Sequence, residues 1–302
     1  MKYIEKHPMI MIVIGIVGIS FSAIFAKYSQ APSVVTAAFR LLWTVALLSP
    51  VILFSQGYRR ELQRLDRRTV VLCIISGIFL GLHLAIWFES LKFTSVASST
   101  TIVCTEVVWV SLGFCLFLKG RLGGKAVLSI AITLSGSVVI ALSDSGSGGG
   151  HLYGDILALV AAIAVAVYTL IGRVARATVS TTVYTYLVYV ASAVTLVILT
   201  FAQGYTLAGH GTDGWVIGLL LAVFSTILGH SIFSWCLKYF SPSFVSASKL
   251  CEPVVSSILA IFVFREIPGP VQILGGAVII GGVVLYSRIE GKEHHSPGAS
   301  GP

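Results

Sequence analysis

"SASKLCEPVVSSILAIFVF", residues 246–264, sets Lys249 and Glu252 three residues apart in a run that is otherwise apolar or small and long enough to cross a bilayer. Sliding the chain back on itself by 146 residues, without a gap, lays "TEVVWVSLGFCLFLKG" (105–120) on "CEPVVSSILAIFVFRE" (251–266), so that Glu106 meets Glu252 and Lys119 meets Arg265. The same offset superimposes Lys27 on Arg173, Lys92 on Lys238, Gly123 on Gly269 and Gly136 on Gly282. The chain reads as two copies of one unit. The stretch "SDSGSGGGH" (143–151) is low in complexity and reads as the flexible linker between residues 1–142 and 152–288. Residues 289–302 form a polar, unpatterned tail.

Composition fixes the solvent. Of the 302 residues, 56% are hydrophobic and only 11% charged, against about 25% charged in soluble domains. Apolar runs bounded by charge, Gly, Pro or Ser clusters predict ten membrane-spanning helices, at about 8–28, 34–54, 70–90, 94–118, 124–142, 152–172, 179–202, 214–237, 243–264 and 268–287. Runs of this length without strand-like alternation point to helices rather than a membrane barrel. The expected fold class is an all-α integral membrane protein with ten transmembrane helices in two five-helix repeats.

Each copy holds an odd number of spans, so the second must cross the membrane upside down relative to the first. Charge supports this: fifteen Lys and Arg fall on one side of the alternating spans and three, Lys27, Lys92 and Arg265, on the other. That bias predicts a multi-pass protein of a bacterial inner membrane with both termini cytoplasmic. Inverted repeats are common in secondary transporters, where the site lies near the midplane between halves and one half rocks against the other. The net charge of +8 sits in short loops between apolar runs, which argues for membrane topology and against nucleic acid as a partner. The five cysteines lie singly inside predicted spans, without metal or disulfide spacing.

Two basic residues, Arg40 and Lys249, fall inside spans, as do the repeat-related Glu106 and Glu252. A charge at the bilayer centre costs roughly 2.5–3.5 kcal/mol, so such a residue faces a bundle interior or watery cavity and has a partner. Glu106 and Glu252 are the candidates for a structural carboxylate, for substrate binding or for proton coupling. Lys249 lies one helical turn before Glu252 and reads either as its counter-ion or as a substrate ligand, its repeat counterpart being Val103. Arg40 lies towards the outer end of its span and reads either as a snorkelling anchor or as a carboxylate ligand. His83 and Trp87, at i and i+4 in "GLHLAIWFESL", share a helix face that could hold a substrate side chain, and Tyr168 is a further aromatic candidate. His230 and Ser234 match that face loosely in the second half, and Glu89 with Lys92 reads as interfacial. The "GIFLG" (77–81) and "GGAVIIGG" (275–282) stretches read as sites of close helix packing.

"CEPVVSSILAIFVFREIPGPVQILGGAVIIGGVVLYS" (251–287) resembles the closing signature of the EamA-type, ten-helix drug/metabolite transporter superfamily, with Pro253, Glu266, Gly275 and Gly276 on its marks. "VVTAAFRLLWTVALL" (34–48) is similar to the family's second helix, with Arg40 at its Phe-Arg position. The first copy departs from the pattern, with Val107 in place of the proline and Gly120 in place of the loop glutamate. The resemblance implies transport of a small metabolite, with amino-acid export, including that of aromatic amino acids, the nearest match. Export of drugs or cationic compounds is the alternative within this class; a channel or a membrane-embedded enzyme is the alternative outside it. HExxH, GxSxG, Walker A and metal-spaced His/Cys motifs are absent from the sequence, so no enzyme activity, metal or cofactor is expected. The expected partners are a small-molecule substrate, the lipid bilayer and, as a candidate coupling ion, the proton.

Overall fold

A computed structural model describes residues 8–94, 96–144, 152–264 and 269–295. The first span is α1 (Pro8–Tyr28), opened by a proline at its first helical position, and the second is α2 (Ser33–Phe54). A short helix, α3 (Gln56–Gln63), follows, and then α4 (Arg67–Phe93). Asp66 caps α4 by accepting from Thr69 N at 3.2 Å and Thr69 Oγ1 at 2.5 Å, bonds that hold its exposed carboxyl below its ordinary pKa. The fourth span is two helices, α5 (Val96–Cys104) and α6 (Glu106–Phe117), and the fifth is α7 (Gly124–Asp144). The second half runs through α8 (Leu152–Ala175) and α9 (Thr181–Ala202) to a composite eighth span. That span joins α10 (Gly211–Leu220), a π-helical segment (Leu221–Ser231) and α11 (Ile232–Cys236). The ninth span is α12 (Pro242–Lys249) followed by α13 (Glu252–Phe264), and the tenth is α14 (Pro270–His295).

The described chain is helical throughout its spans, as expected, and seven helical stretches are long and apolar enough to cross a membrane on the described residues alone. Gly124–Val139 and Ile273–Ile289 are apolar but shorter. Phe54, Phe117 and Leu152, at 85%, 80% and 73% exposure, belong to a large outward-facing apolar surface that water would penalise and lipid accommodates.

Three features differ from the sequence expectation. The fourth and ninth spans are each interrupted, and α3 is an additional element. The last helix also continues to His295 instead of giving way to a tail at 289. Of the 143–151 linker, residues 143 and 144 continue α7, and the remainder lies outside the described residues, as do Arg265 and Glu266.

Packing follows the repeat. The third span lies against the sixth, α4 on α8, and their repeat counterparts, the eighth and first, pack likewise, the π segment on α1. The fourth packs on the sixth, and its counterpart the ninth packs on the first; the second meets the seventh, and the fifth meets the tenth. This exchange of partners is what a two-fold relation between halves produces.

Small residues permit the approach. A Cβ on Gly136 would lie 2.7 Å from the Gly275 carbonyl oxygen, and one on its repeat counterpart Gly282 would lie 3.0 Å from Thr133 N. On the other side, a Cβ on Gly77 would come within 2.5 Å of Ala191 Cβ and Val188 O, while Ser192 Oγ donates to Gly77 O at 2.7 Å. Gly77→Val is therefore expected to destabilise the fold by about 1–3 kcal/mol through overpacking against α9. Gly124→Ala, whose new methyl meets open space, is the near-neutral control, with thermal unfolding in detergent as the readout.

Candidate functional site

The two helix breaks coincide under the repeat. Thr105 separates α5 from α6, and Leu250 and Cys251 separate α12 from α13, so Cys251, which is 146 residues on, is the counterpart of Thr105. At each break the backbone tightens into i→i+3 bonds: Thr105 N to Ile102 O at 3.0 Å, Leu250 N to Ala247 O at 3.1 Å and Cys251 N to Ser248 O at 3.2 Å. In the ninth span Pro253 supplies the cause, since it has no N–H to return to Lys249 O. The first half has Val107 there, and Thr105 instead diverts the ladder by bonding its own hydroxyl to Ile102 O at 2.6 Å. The missing proline of the first copy has not cost it the break.

Both breaks open onto one interior cavity, which offers about 30 Å³ to the centre of a water-sized sphere, room for roughly two waters. Its wall takes Ile19 and Ser22 from α1, His83 and Trp87 from α4, and Thr100, Val103 and Cys104 from α5. Glu106 begins α6; the second half adds Val165 from α8, His230 from the π segment, Lys249 at the end of α12 and Glu252 at the start of α13. The contributing spans are the first, third and fourth with their counterparts the sixth, eighth and ninth. Three wall positions are repeat pairs: Ile19 with Val165, Val103 with Lys249, and Glu106 with Glu252. The cavity also separates two apolar clusters, with Trp87 and Val165 on one and Ile19 and Cys104 on the other.

The ion pair is not the one sequence spacing suggests. Lys249 Nζ donates to Glu106 Oε1 at 2.8 Å, across the seam between halves, with both side chains nearly fully buried. Its other near neighbour is the Phe233 ring, 5.3 Å from centroid to Nζ. The reading of Lys249 as a counter-ion one turn before Glu252 assumed a continuous helix; the break at Leu250 and Cys251 re-aims the two head groups. Glu252 is left with Oε1 unbonded among the described residues although it is only 6% exposed. Trp87 Nε1, Thr100 Oγ1 and His230 Nδ1 on the same wall are likewise buried without a hydrogen-bond partner among the described residues.

Of the other expected site residues, His83 and Trp87 do share a face, with ring planes 9° apart and centroids 6.1 Å apart. His83 Nδ1 donates to Ala161 O at 2.9 Å. His230, a loose match in the sequence, is a full member of the wall, 6.4 Å from His83 and 6.0 Å from Tyr168 between ring centres. Tyr168 stands one layer behind the wall, its hydroxyl 2.7 Å from Ser234 Oγ. Arg40 is also behind it and does not snorkel: it is wholly buried, giving Nε to Thr226 Oγ1 at 2.8 Å and Nη1 to Ser22 Oγ at 3.1 Å. Glu89 and Lys92 pair at 2.9 Å on the surface.

The two ends of the bundle differ. At the end carrying the basic loops, Arg173 donates to the carbonyls of Leu237 and Phe240, and Arg176 to those of Ser234 and Val179. Glu61 of α3 accepts from Ser180 N at 2.5 Å, tying the first half to the start of α9. At the opposite end a larger cavity of about 210 Å³ lies between α1, α2 and α4, lined by Ser29, Thr36, Phe88 and Lys92 among others.

A helical bundle with exchanged packing partners, broken spans at a shared interior and buried charge on both halves has the architecture common among membrane transporters. The chain belongs to the EamA-like transporter family, which it matches twice, over residues 7–142 and 152–288. It is 25% identical to the "Uncharacterized transporter YyaM" of Bacillus subtilis (strain 168), over 96% of this chain and 95% of that protein. It is 24% identical to "Uncharacterized transporter YxxF" of the same organism, over 95% and 90% respectively. A solved structure titled "Crystal structure of protein" shares the fold with a TM-score of 0.77 and 18% identity, covering 96% of this chain and 99% of that one.

Proposed function

We propose that the chain is a secondary transporter that exports small metabolites, amino acids first among them, across a bacterial inner membrane by alternating access. The observation that carries this reading is Glu252, a buried carboxylate with an unbonded oxygen on the same small cavity wall as the Lys249 ammonium. An amino acid carries the complementary pair of charges, and Trp87 with His83 offers an aromatic surface to its side chain. The interior space is far below the roughly 300 Å³ of a ligand pocket, so binding requires the two packed clusters to separate. The arginine bonds at the basic end and the larger cavity at the other support access from one side at a time. The substrate is moved without chemical change.

Counterflow in proteoliposomes against a panel of amino acids, cationic drugs, sugar phosphates and nucleotide sugars tests the proposal. Saturable exchange of one or more amino acids is the expected result, and exchange of none of them removes the amino-acid reading. The open Glu252 favours a second reading, a cationic compound, which the drug members of the panel would reveal. Flux that neither saturates nor shows counterflow would indicate a channel. Glu252→Gln and Glu106→Gln compared across a pH gradient test proton coupling, and an unchanged pH response in both variants excludes it.

A further inference from the structure

We infer that the Lys249–Glu106 ion pair is an internal stand-in for a bound zwitterion, which takes its place by inserting its own two charges between the halves. The substrate carboxylate would accept from Lys249 Nζ, and the carboxylates of Glu106 and Glu252 would take the substrate ammonium. This rests on the amino-acid reading given above and specifies how the same site recognises its ligand.

Four observations carry it. The pair bridges the seam, from the first residue of α6 in one half to the last residue of α12 in the other, and both residues line the cavity. Second, the repeat supplies two glutamates but one lysine, because Val103 stands opposite Lys249. Only one carboxylate is matched, and the unbonded Oε1 of buried Glu252 marks where a further donor fits. Third, each charge sits at the helix end that suits it: Lys249 where α12 presents its negative carbonyl end, Glu106 and Glu252 where α6 and α13 present their positive amide ends. The helix ends partly stabilise each group without its partner, so the pair can open more cheaply than a pair buried in mid-helix. Fourth, the Phe233 ring lies 5.3 Å from Nζ and keeps the ammonium on the cavity wall when Glu106 departs.

On loading, Lys249, Glu106 and Glu252 would each face an opposite charge of the ligand, which a ligand with only a carboxylate would not achieve. A ligand with only a carboxylate must displace Glu106 without offering it a cation. One with only an ammonium leaves the Lys249–Glu106 pair closed and reaches Glu252 alone. The site thus rejects a lone carboxylate through competition with its own residues, whereas a lone ammonium is read by Glu252 only.

The test uses the purified full-length protein and ligand-dependent shifts in thermal unfolding. Ligands are L-phenylalanine, L-leucine and L-threonine, each also as its N-acetyl derivative (carboxylate only) and its amide (ammonium only). In Glu106→Gln the internal competitor is gone, and N-acetyl forms are expected to bind at least about tenfold tighter than to the unsubstituted protein, the low end of coupling for close charge pairs. In Lys249→Met the carboxylate is no longer read, and amide and free amino acid bind within about twofold of each other, a difference below the free energy of one hydrogen bond. Glu106→Gln combined with Lys249→Met removes both charges and guards against a folding failure of either single variant; it too should bind amide and amino acid alike. If the unsubstituted protein binds amino acids but the ranking of the three forms is the same in every variant, the ion-pair exchange is overturned and the amino-acid reading stands. If none of the nine ligands binds the unsubstituted protein, both fail together.

Discussion

Glu106→Gln will destabilise the protein strongly, whereas the same change at its repeat twin, Glu252→Gln, will leave stability within about 1 kcal/mol or raise it. The two residues hold equivalent places in the repeat, each beginning a half-helix beside the cavity. They differ in what they hold. Glu106 accepts from Lys249 at 2.8 Å with 6% and 4% of the lysine and glutamate side chains exposed, so its loss strands a buried ammonium. Breaking a buried pair from one side costs about 3–5 kcal/mol. The carbonyl end of α12 and the residual acceptor of the glutamine amide offset part of that, which puts the expected loss near the bottom of this range. Lys249→Met should cost a similar amount by stranding Glu106, and joining it to Glu106→Gln should return most of the stability, because neutral groups of similar size replace both charges. Glu252 has no such partner among the described residues: its Oε1 is unbonded, so the amide replaces a buried carboxyl of the same shape and breaks no ion pair. Thermal unfolding of the four variants in one detergent reads the cycle. Equal losses at Glu106 and Glu252 would mean that the two glutamates share the lysine.

The contrast also marks how far the sequence could be read. The spans were legible because each is a run of about 20 apolar residues, and the repeat because charges, glycines and a glutamate recur at one offset. Glu106, Glu252, Lys249, His83 and Trp87 could be placed near the seam because buried polar residues in a span need a cavity or partner, and the structure gathers all five on one wall. The partner of Lys249 could not be read, since i,i+3 spacing predicts a meeting with Glu252 only along an unbroken helix. In the ninth span Pro253 carried a signal for the break; in the fourth, only Thr105, a hydroxyl that bonds back to Ile102, does so, and threonines are too common in spans to stand out. The π-helical turns of Leu221–Ser231 were likewise hidden, although they bring His230 onto the wall. Their hydroxyls reach carbonyls five residues back, Thr226 to Leu221 at 3.3 Å and Ser231 to Thr226 at 3.2 Å. That is a three-dimensional choice, reinforced by the close packing of Gly18 on the Phe224 and Leu228 backbone and by Tyr189 on Ser231.

Arg40→Met is expected to leave the protein folded and to reduce transport by about 10- to 100-fold, the rate equivalent of losing one hydrogen bond to a charged group. Arg40 joins three elements: it projects from α2, binds Ser22 of α1 through Nη1 and grips Thr226 of the π segment through Nε. Ser22 is on the cavity wall, and Thr226 donates the i−5 bond that accompanies the π turn. Removing the guanidinium frees the hydroxyl that supports this register, and an α-helical register would rotate His230 away from the wall while the apolar packing on α1 persists. Stability should change little, because Arg40 has no ion-pair partner among the described residues and its Nη2 is already unbonded; a methionine stem of similar reach removes a buried charge as well as two bonds. Arg40→Lys should not rescue transport, since one ammonium cannot reproduce the fork that reaches Ser22 and Thr226 together. Counterflow with the amino acid that exchanges best, set beside thermal unfolding of the same preparations, separates the possibilities. Loss of transport at constant stability assigns Arg40 the positioning of the wall, and parallel loss of both makes it a structural tie between α1, α2 and the eighth span.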